Sequence, residues 1–243
     1  MQKVLKTNLN PNEKHLANIE SWLKEEWAKT SNGFYSNWHM IPQAFAEKRL
    51  SVITENDYAI GFIVYRLNNL TATIDVAEIK PVKRQKGYAT RLVDETLEFF
   101  KSKGVLAVQL FCAPESSEPF WKRIGFLNFP VIPHLNNLHM YKTLVETVES
   151  SENEIADLTI KLWDCEPYQV RNKSPKWIWN LSFKEDNQTL KKPIVFPAYR
   201  DWQIELAKSD ATIIIDKIKY CGIDLADYGR FLIIRKVDVL NKY

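Results

Sequence analysis

The stretch Ile79-Lys80-Pro81-Val82-Lys83-Arg84-Gln85-Lys86-Gly87-Tyr88-Ala89-Thr90 constrains this chain more than any other. An apolar strand, Thr71 to Ile79, runs into it. A helix runs out of it, with Ala89, Leu92, Val93, Leu97 and Phe100 on one face and Asp94, Glu95, Glu98 and Lys101 on the other. Gly104 stops that helix after Lys101 and Lys103. The first turn of a helix has backbone N–H groups without intrahelical partners, and the helix dipole adds partial positive charge there. A glycine at the mouth, Gly87, lets a ligand approach the backbone, and Lys83, Arg84 and Lys86 surround it with cations. The stretch therefore reads as a phosphate cradle. The residues read R-x-x-G-x-A, and an Arg or Gln, then Gly, then Gly or Ala at these spacings occurs by chance in roughly one chain in five of this length, so the strand and helix around it carry the inference. Neither G-x-G-x-x-G nor the ATP-type G-x-x-x-x-G-K-[ST] is present.

Two further segments follow in order. Phe120-Trp121-Lys122-Arg123-Ile124-Gly125-Phe126 comes after a strand, Val105 to Cys112, and Leu138-His139-Met140-Tyr141-Lys142-Thr143-Leu144 reads as a closing strand. Together with the basic loop they resemble the GNAT superfamily of N-acetyltransferases over about residues 1–144. The resemblance implies an α+β fold, a central and mostly antiparallel sheet flanked by helices. It implies transfer of an acetyl group from acetyl-CoA, as co-substrate, to an amine. It assigns the pyrophosphate to Arg84, Gln85, Lys86, Gly87, Tyr88, Ala89 and Thr90, chiefly through backbone N–H groups from Gln85 onward. It runs the pantetheine arm beside Ala77, Glu78 and Ile79.

The rest of the first domain reads in step with this. Lys3 to Thr7 can be a strand. Asn10, Pro11 and Glu13 suggest a capped helix start, with Leu16, Ile19, Trp22, Leu23 and Trp27 at helical spacing behind it. Thr30 to Pro42, with Gly33, Phe34, Tyr35, Trp38 and His39, is the candidate acceptor-binding connection or a cover for an open core edge. Arg49 to Thr54 and Tyr58 to Leu67 read as strands around a turn at Glu55-Asn56-Asp57, and Asn68-Asn69 turns the chain into Thr71 to Ile79.

Acyl transfer needs an oriented thioester, a deprotonated amine and a donor for the oxyanion. Strict strand alternation puts Thr73, Asp75, Ala77 and Ile79 on one face, with Glu78 on the other unless a bulge intervenes. The resemblance places an acid/base residue at Asp75 or Thr73. Asp75 is the candidate catalytic base, acting directly or through water. At two positions the chain departs from the family pattern. Trp121 stands where a tyrosine often protonates the leaving thiolate, and an indole N–H is a donor without useful acidity. Pro114 stands where an asparagine often holds pantetheine. Tyr141 or Ser117 could serve instead, or water. Cys112 reads as a small apolar strand residue rather than a nucleophile. His134 and His139 lack a metal-ligand spacing, and no metal is expected.

After an acidic, serine-rich stretch, Glu146 to Glu154, that reads as a linker or the end of a helix crossing to a second unit, short β-type runs dominate: Leu158 to Trp163, Trp177 to Phe183, Pro193 to Phe196, Ala211 to Tyr220 and Arg230 to Val237. Turn signals at Glu185-Asp186-Asn187, Ser209-Asp210 and Asp227-Tyr228-Gly229 separate them. The expected organisation is a first domain over residues 1–148 and a β-rich accessory domain over 152–243, the latter a barrel or half-barrel. Trp163, Trp177, Trp179 and Trp202 stand among lysines, a pattern found on single-strand nucleic-acid surfaces. From Ser151 onward, however, 15 basic residues meet 14 acidic ones, so core tryptophans and no nucleic-acid role are expected. The whole chain has a net charge of +3, and no apolar run approaches the ~20 residues of a membrane helix. Three scattered cysteines without C-x-x-C and no signal-type start fit a cytoplasmic protein. A homodimer is left open, as is the acceptor. The alternative to the enzyme is a non-catalytic acyl-CoA-binding sensor or scaffold.

Overall fold

The structure is a computed structural model that describes residues 4–31, 33–130, 138–209, 211–221 and 230–237. Its contacts group into two compact units, Met1–Leu127 and Asn128–Tyr243. Residues 128–148, which the sequence reading joins to the first domain, fall in the second of these units. His134, Asp210 and the turn Asp227-Tyr228-Gly229 lie outside the described residues.

The first unit begins with strand β1, Leu5–Asn8, and helix α1, Glu13–Thr30. The helix starts two residues later than Asn10 and Pro11 suggest. Asn12 caps it, accepting from the His15 backbone at 3.1 Å while its own N–H donates to His15 Nδ1 at 3.3 Å. His15 thus closes the box that the sequence assigned to Glu13. A short helix α2, Met40–Ala46, follows, then β2, Leu50–Glu55, β3, Tyr58–Asn68, and β4, Thr71–Ile79. Asn56 and Asp57 take φ of 50° and 62°, the left-handed pair a tight hairpin needs. Helix α3, Tyr88–Ser102, crosses from β4 to β5, Ala107–Phe111, which pairs parallel to β4. Helix α4, Glu118–Arg123, ends the unit, and β6, Leu127–Asn128, lies at the junction.

Strands β1 to β5 lie in sequence order, antiparallel apart from the last pair. Helices α1 and α2 cover one face, where Ile19, Trp22, Leu23, Ile41 and Ala44 pack with Leu50, Val52, Phe62, Val64 and Val76. Helix α3 covers the other, and Phe100 meets the Tyr65 ring edge-on at 4.9 Å between centroids. Gly61, on β3 opposite Ile79, is required by close approach. A Cβ there would lie 2.3 Å from Ile79 Cδ1 and 2.8 Å from the Glu78 carbonyl oxygen.

In the second unit, β7 spans His139–Thr143, β8 Leu158–Leu162, β9 Trp177–Asn180 and β10 Thr189–Pro197. Then come β11, Gln203–Lys208, β12, Ala211–Lys217, and β13, Phe231–Lys236. An antiparallel four-stranded sheet, β12-β11-β8-β9, and an antiparallel pair, β10-β13, share one core of Ile160, Leu162, Leu206, Ile194, Leu232 and Ile234. Among the described residues, two sheets stand where a barrel or half-barrel was expected. Strand β11 was not read from the sequence, because polar Gln203 and Glu205 interrupt its apolar pattern although both are buried. Glu205 accepts from Thr212 Oγ1 at 2.5 Å. Trp163, Trp179 and Trp202 are buried as expected, and half-buried Trp177 stacks on Trp202 at 5.7 Å. The supposed linker is tied down where Val148 N–H donates to Pro193 O and Ser151 N–H to Ile178 O.

Candidate active site

Pairing between β4 and β5 runs from Thr71↔Ala107 to Ile74↔Leu110 and goes no further. At that point β4 carries a bulge. Val64 pairs with Val76 and the next residue, Tyr65, pairs with Ile74, so Asp75 is the extra residue. Beyond it β4 continues to Ile79 with β3 as its neighbour, and a cleft of about 760 Å³ opens on its other side. Asp75 to Ile79 form one wall, and Leu110, Phe111, Ala113 and Pro114 contribute to the other. Ala89, Leu92 and Val93 of α3 line one part of it, and Glu26, Gly33, Phe34 and Asn37 another.

The bulge also breaks the alternation read from sequence. Ile74 pairs with Tyr65, whose ring faces α3, whereas Val76 packs into the cluster under α1 and α2. Asp75 and Glu78 both line the cleft. The Asp75 carboxylate is engaged on both oxygens by Arg66, Nε to Oδ2 at 2.9 Å and Nη2 to Oδ1 at 2.7 Å.

The basic loop leaves β4 through a 3₁₀ turn, Pro81–Lys83, with Gln85 at φ 61° and Gly87 at φ 79°. Gly87 occupies the N-cap position of α3, and no side chain caps the helix. A Cβ built on Gly87 would meet no atom within 4 Å, so the space in front of this backbone is open. These are the conditions under which an anion sits on a helix N-terminus. The loop's cations are arranged more narrowly than the sequence suggested. Lys83 pairs with Glu55, whose other oxygen accepts from Tyr88 OH at 3.1 Å, pinning the helix start. Lys86 Nζ donates to Val82 O at 3.2 Å. Arg84 donates Nε to Ile79 O at 2.9 Å, and its Nη2 reaches Glu26 Oε1 and Glu78 Oε2, each at 3.2 Å.

Burial pushes the Glu78 carboxyl above the usual range. The Glu26 charge adds to this, and Arg84 opposes it. Glu26 Oε2 is buried without a hydrogen-bond partner beneath Gly33, where an added Cβ would lie 3.2 Å from that oxygen. Glu26, Glu55 and Arg66 were not singled out by sequence reasoning. The partners of Glu26 and Glu55 lie far along the chain, 58 residues in the case of Glu26 and Arg84, and Arg66 meets Asp75 only through the pairing of β3 with β4.

Of the residues assigned to the co-substrate, Ala77, Glu78, Ile79, Arg84 and Ala89 line the cleft. Gln85, Lys86, Gly87, Tyr88 and Thr90 form the adjoining loop and first turn of α3 and are not part of its wall. Trp121 and Pro114 line it as well, and Trp121 is fixed edge-on between Phe120 and Phe126, 5.1 Å from each. Ser117, also on the cleft, donates its hydroxyl to Pro114 O at 2.8 Å, and Cys112 Sγ lies 3.2 Å from the same hydroxyl. Tyr141 sits in the second unit against Phe129 and Phe231. Among the described residues no group of three His, Cys, Asp or Glu side chains could hold a metal ion. Within the same residues, no helix is long and apolar enough to cross a membrane.

Residues 16–126 match the model of the acetyltransferase (GNAT) family. No curated protein matches the chain. Among solved structures, Ard1 from Thermoplasma volcanium is 20% identical, with 59% of this chain and 99% of that one covered at a TM-score of 0.46. The PaiA N-acetyltransferase from Thermoplasma acidophilum, in complex with coenzyme A, is 16% identical with the same coverages and a TM-score of 0.46. An aminoglycoside 6'-N-acetyltransferase complexed with coenzyme A is 13% identical, with 59% and 98% covered at a TM-score of 0.47.

Proposed function

We propose that this chain, which carries an acetyltransferase (GNAT) family domain at residues 16–126, moves the acetyl group of acetyl-CoA onto an amine by direct attack of the nitrogen on the thioester. The observation that carries this reading is the cleft where β4 and β5 part, with the uncapped, glycine-fronted N-terminus of α3 on one side and carboxylates on another. Backbone N–H groups from Gln85 to Thr90 would hold the pyrophosphate, and the edge of β4 at Ala77, Glu78 and Ile79 would guide the pantetheine arm and meet the thioester oxygen. The cleft's volume of about 760 Å³ leaves room for such an arm, and Gly87 presents open backbone where phosphate oxygens would come.

Asp75, the carboxylate that the sequence pattern nominates as base, is one of two carboxylates on β4 that line the cleft and can be proposed for that role. Its two contacts with Arg66 mean that a proton reaches it only as that grip loosens, or through a water. Trp121 offers a donor but no acid, so water protonates the departing thiolate. Gly33, Phe34 and Asn37, from the connection nominated for the acceptor, approach from the α1 side. Cys112 is 1% exposed and donates to the Pro114 carbonyl oxygen, which argues against an acetyl-cysteine intermediate. Initial rates measured while varying acetyl-CoA and a primary amine should give intersecting double-reciprocal lines. Parallel lines, or radiolabel retained on the protein from acetyl-CoA alone, would contradict direct attack.

A further inference from the structure

We infer that Glu78 is the catalytic residue that takes the proton from the acceptor's ammonium, with Arg84 and Glu26 as the residues that position it. The inference rests on the acyl-transfer reading above and names the group that activates the acceptor. Glu78 lies on β4 beyond the bulge, paired with Phe62 of β3, on the face covered by α1. It lines the cleft and is 28% exposed on its side chain, open enough to meet a substrate. By the proposed path of the pantetheine arm it stands beside the thioester. Arg84 holds it with one nitrogen at 3.2 Å, against the two-point grip of 2.7 and 2.9 Å on Asp75. Arg84 is itself fixed, through Nε to Ile79 O, so it steadies the carboxylate without enclosing it.

Two carboxylates share this one guanidinium, which leaves the wall with an excess negative charge. Glu26 is 12% exposed, and its second oxygen has no partner. An ammonium entering past Gly33, Phe34 and Asn37 supplies the missing positive charge. Phe62 of β3 pairs with Glu78, and Gly33 and Phe34 line the same cleft; none of the three is charged. Burial is the main influence on the titration of Glu78 and raises it; of the charged groups beside it, Arg84 lowers it and Glu26 raises it.

In the reaction the ammonium gives one proton to ionised Glu78, and the nitrogen lone pair forms the C–N bond as the C–S bond breaks. The nitrogen's second proton leaves with collapse to the amide and neutralises the thiolate through water. Protonated Glu78 then returns its proton to solvent, so atoms and charge balance.

The test compares wild type, Glu78→Gln and Asp75→Asn across pH, using acetyl-CoA with an alkylamine, a polyamine and a lysine peptide as probes. Glu78→Gln keeps the β4 backbone edge that guides the pantetheine arm, so it should still bind acetyl-CoA by calorimetry. It should lose about 100-fold or more in kcat/KM near pH 7 and regain rate as rising pH deprotonates the amine. A readout independent of activity is the side-chain carboxyl titration by NMR. Glu78 should titrate above the ordinary carboxylate value, and Glu26→Gln should bring it down. A Glu78→Gln enzyme with wild-type kcat/KM, or the loss and pH recovery appearing in Asp75→Asn instead, would overturn the inference and leave acyl transfer standing. Wild-type protein that neither binds acetyl-CoA nor turns over would overturn both.

Discussion

Gly87 and Asp186 show how single backbone positions are set by their side chains or by the lack of one. At φ 79° a residue with a Cβ pays a conformational cost of about 1 kcal/mol, and at Gly87 the added group would also stand in open space at the mouth of α3. Asp186 works in the opposite sense, through its oxygens. Its carboxylate accepts from the Thr189 hydroxyl at 2.6 Å and from the Thr189 and Gln188 backbones at 2.8 and 3.0 Å, which holds its pKa at about 2. A carboxylate depressed in the folded state contributes stability that is present above its unfolded value of about 4 and is lost as pH falls towards 2. Asp186→Asn should therefore lower the melting temperature near pH 7, with the gap to wild type closing as pH drops towards 2. A gap that does not change with pH would contradict the assignment. At this scale the sequence was informative where the chemistry is local: Gly87 ahead of a helical pattern, and Asp186 in a turn. It was silent on the partners of Arg84, which are set by the fold. Its guanidinium was read as a free cation for phosphate but is divided between Glu26, Glu78 and a carbonyl.

Among the elements, β4 decides the site. Its apolar run and its exit into the basic loop could be read directly, and so could the three-strand meander before it, because alternation and turn residues mark both. The bulge at Asp75 could not, since no glycine or proline announces it and the reason for it lies in register with β3. That one extra residue ends the alignment with β5 and brings both Asp75 and Glu78 to the cleft. The start of α1 shows a smaller miss of the same kind. Asn10 and Asn12 are equally good caps by type, and His15, which also bonds Asp57 across the fold at 3.2 Å, selects the second. Gly61 transmits packing to β4 from the neighbouring strand. Gly61→Ala should push on Ile79 and the Glu78 carbonyl, cost about 1–3 kcal/mol by overpacking and weaken acetyl-CoA binding together with stability. Thermal melts and titration of the same variant check this, and an unchanged melting temperature would mean that the close approach is not tight.

Taken as a whole, the chain places its chemistry in the first unit and a separate core in the second. Every residue that lines the cleft precedes Leu127, and the core of Ile160, Ile204 and Leu232 is built from later residues. The GNAT resemblance could be read from three motifs in order. The second unit could be read only as β-rich, because buried Gln203 and Glu205 hide a central strand and the sheet order depends on pairings between distant segments. The domain limits of 1–148 and 152–243 we keep as a proposal. What joins the scales is the claim that the N-terminus of α3 receives the pyrophosphate of acetyl-CoA. The measurement that bears on it most directly is calorimetric titration of the purified protein with acetyl-CoA, repeated on Gly87→Glu, with a thermal melt to show that the variant is folded. Micromolar binding by the wild type and its loss in a folded Gly87→Glu protein, where the new carboxylate meets the phosphates, is the result predicted. Equal binding by both proteins, or none by a folded wild type, would contradict it.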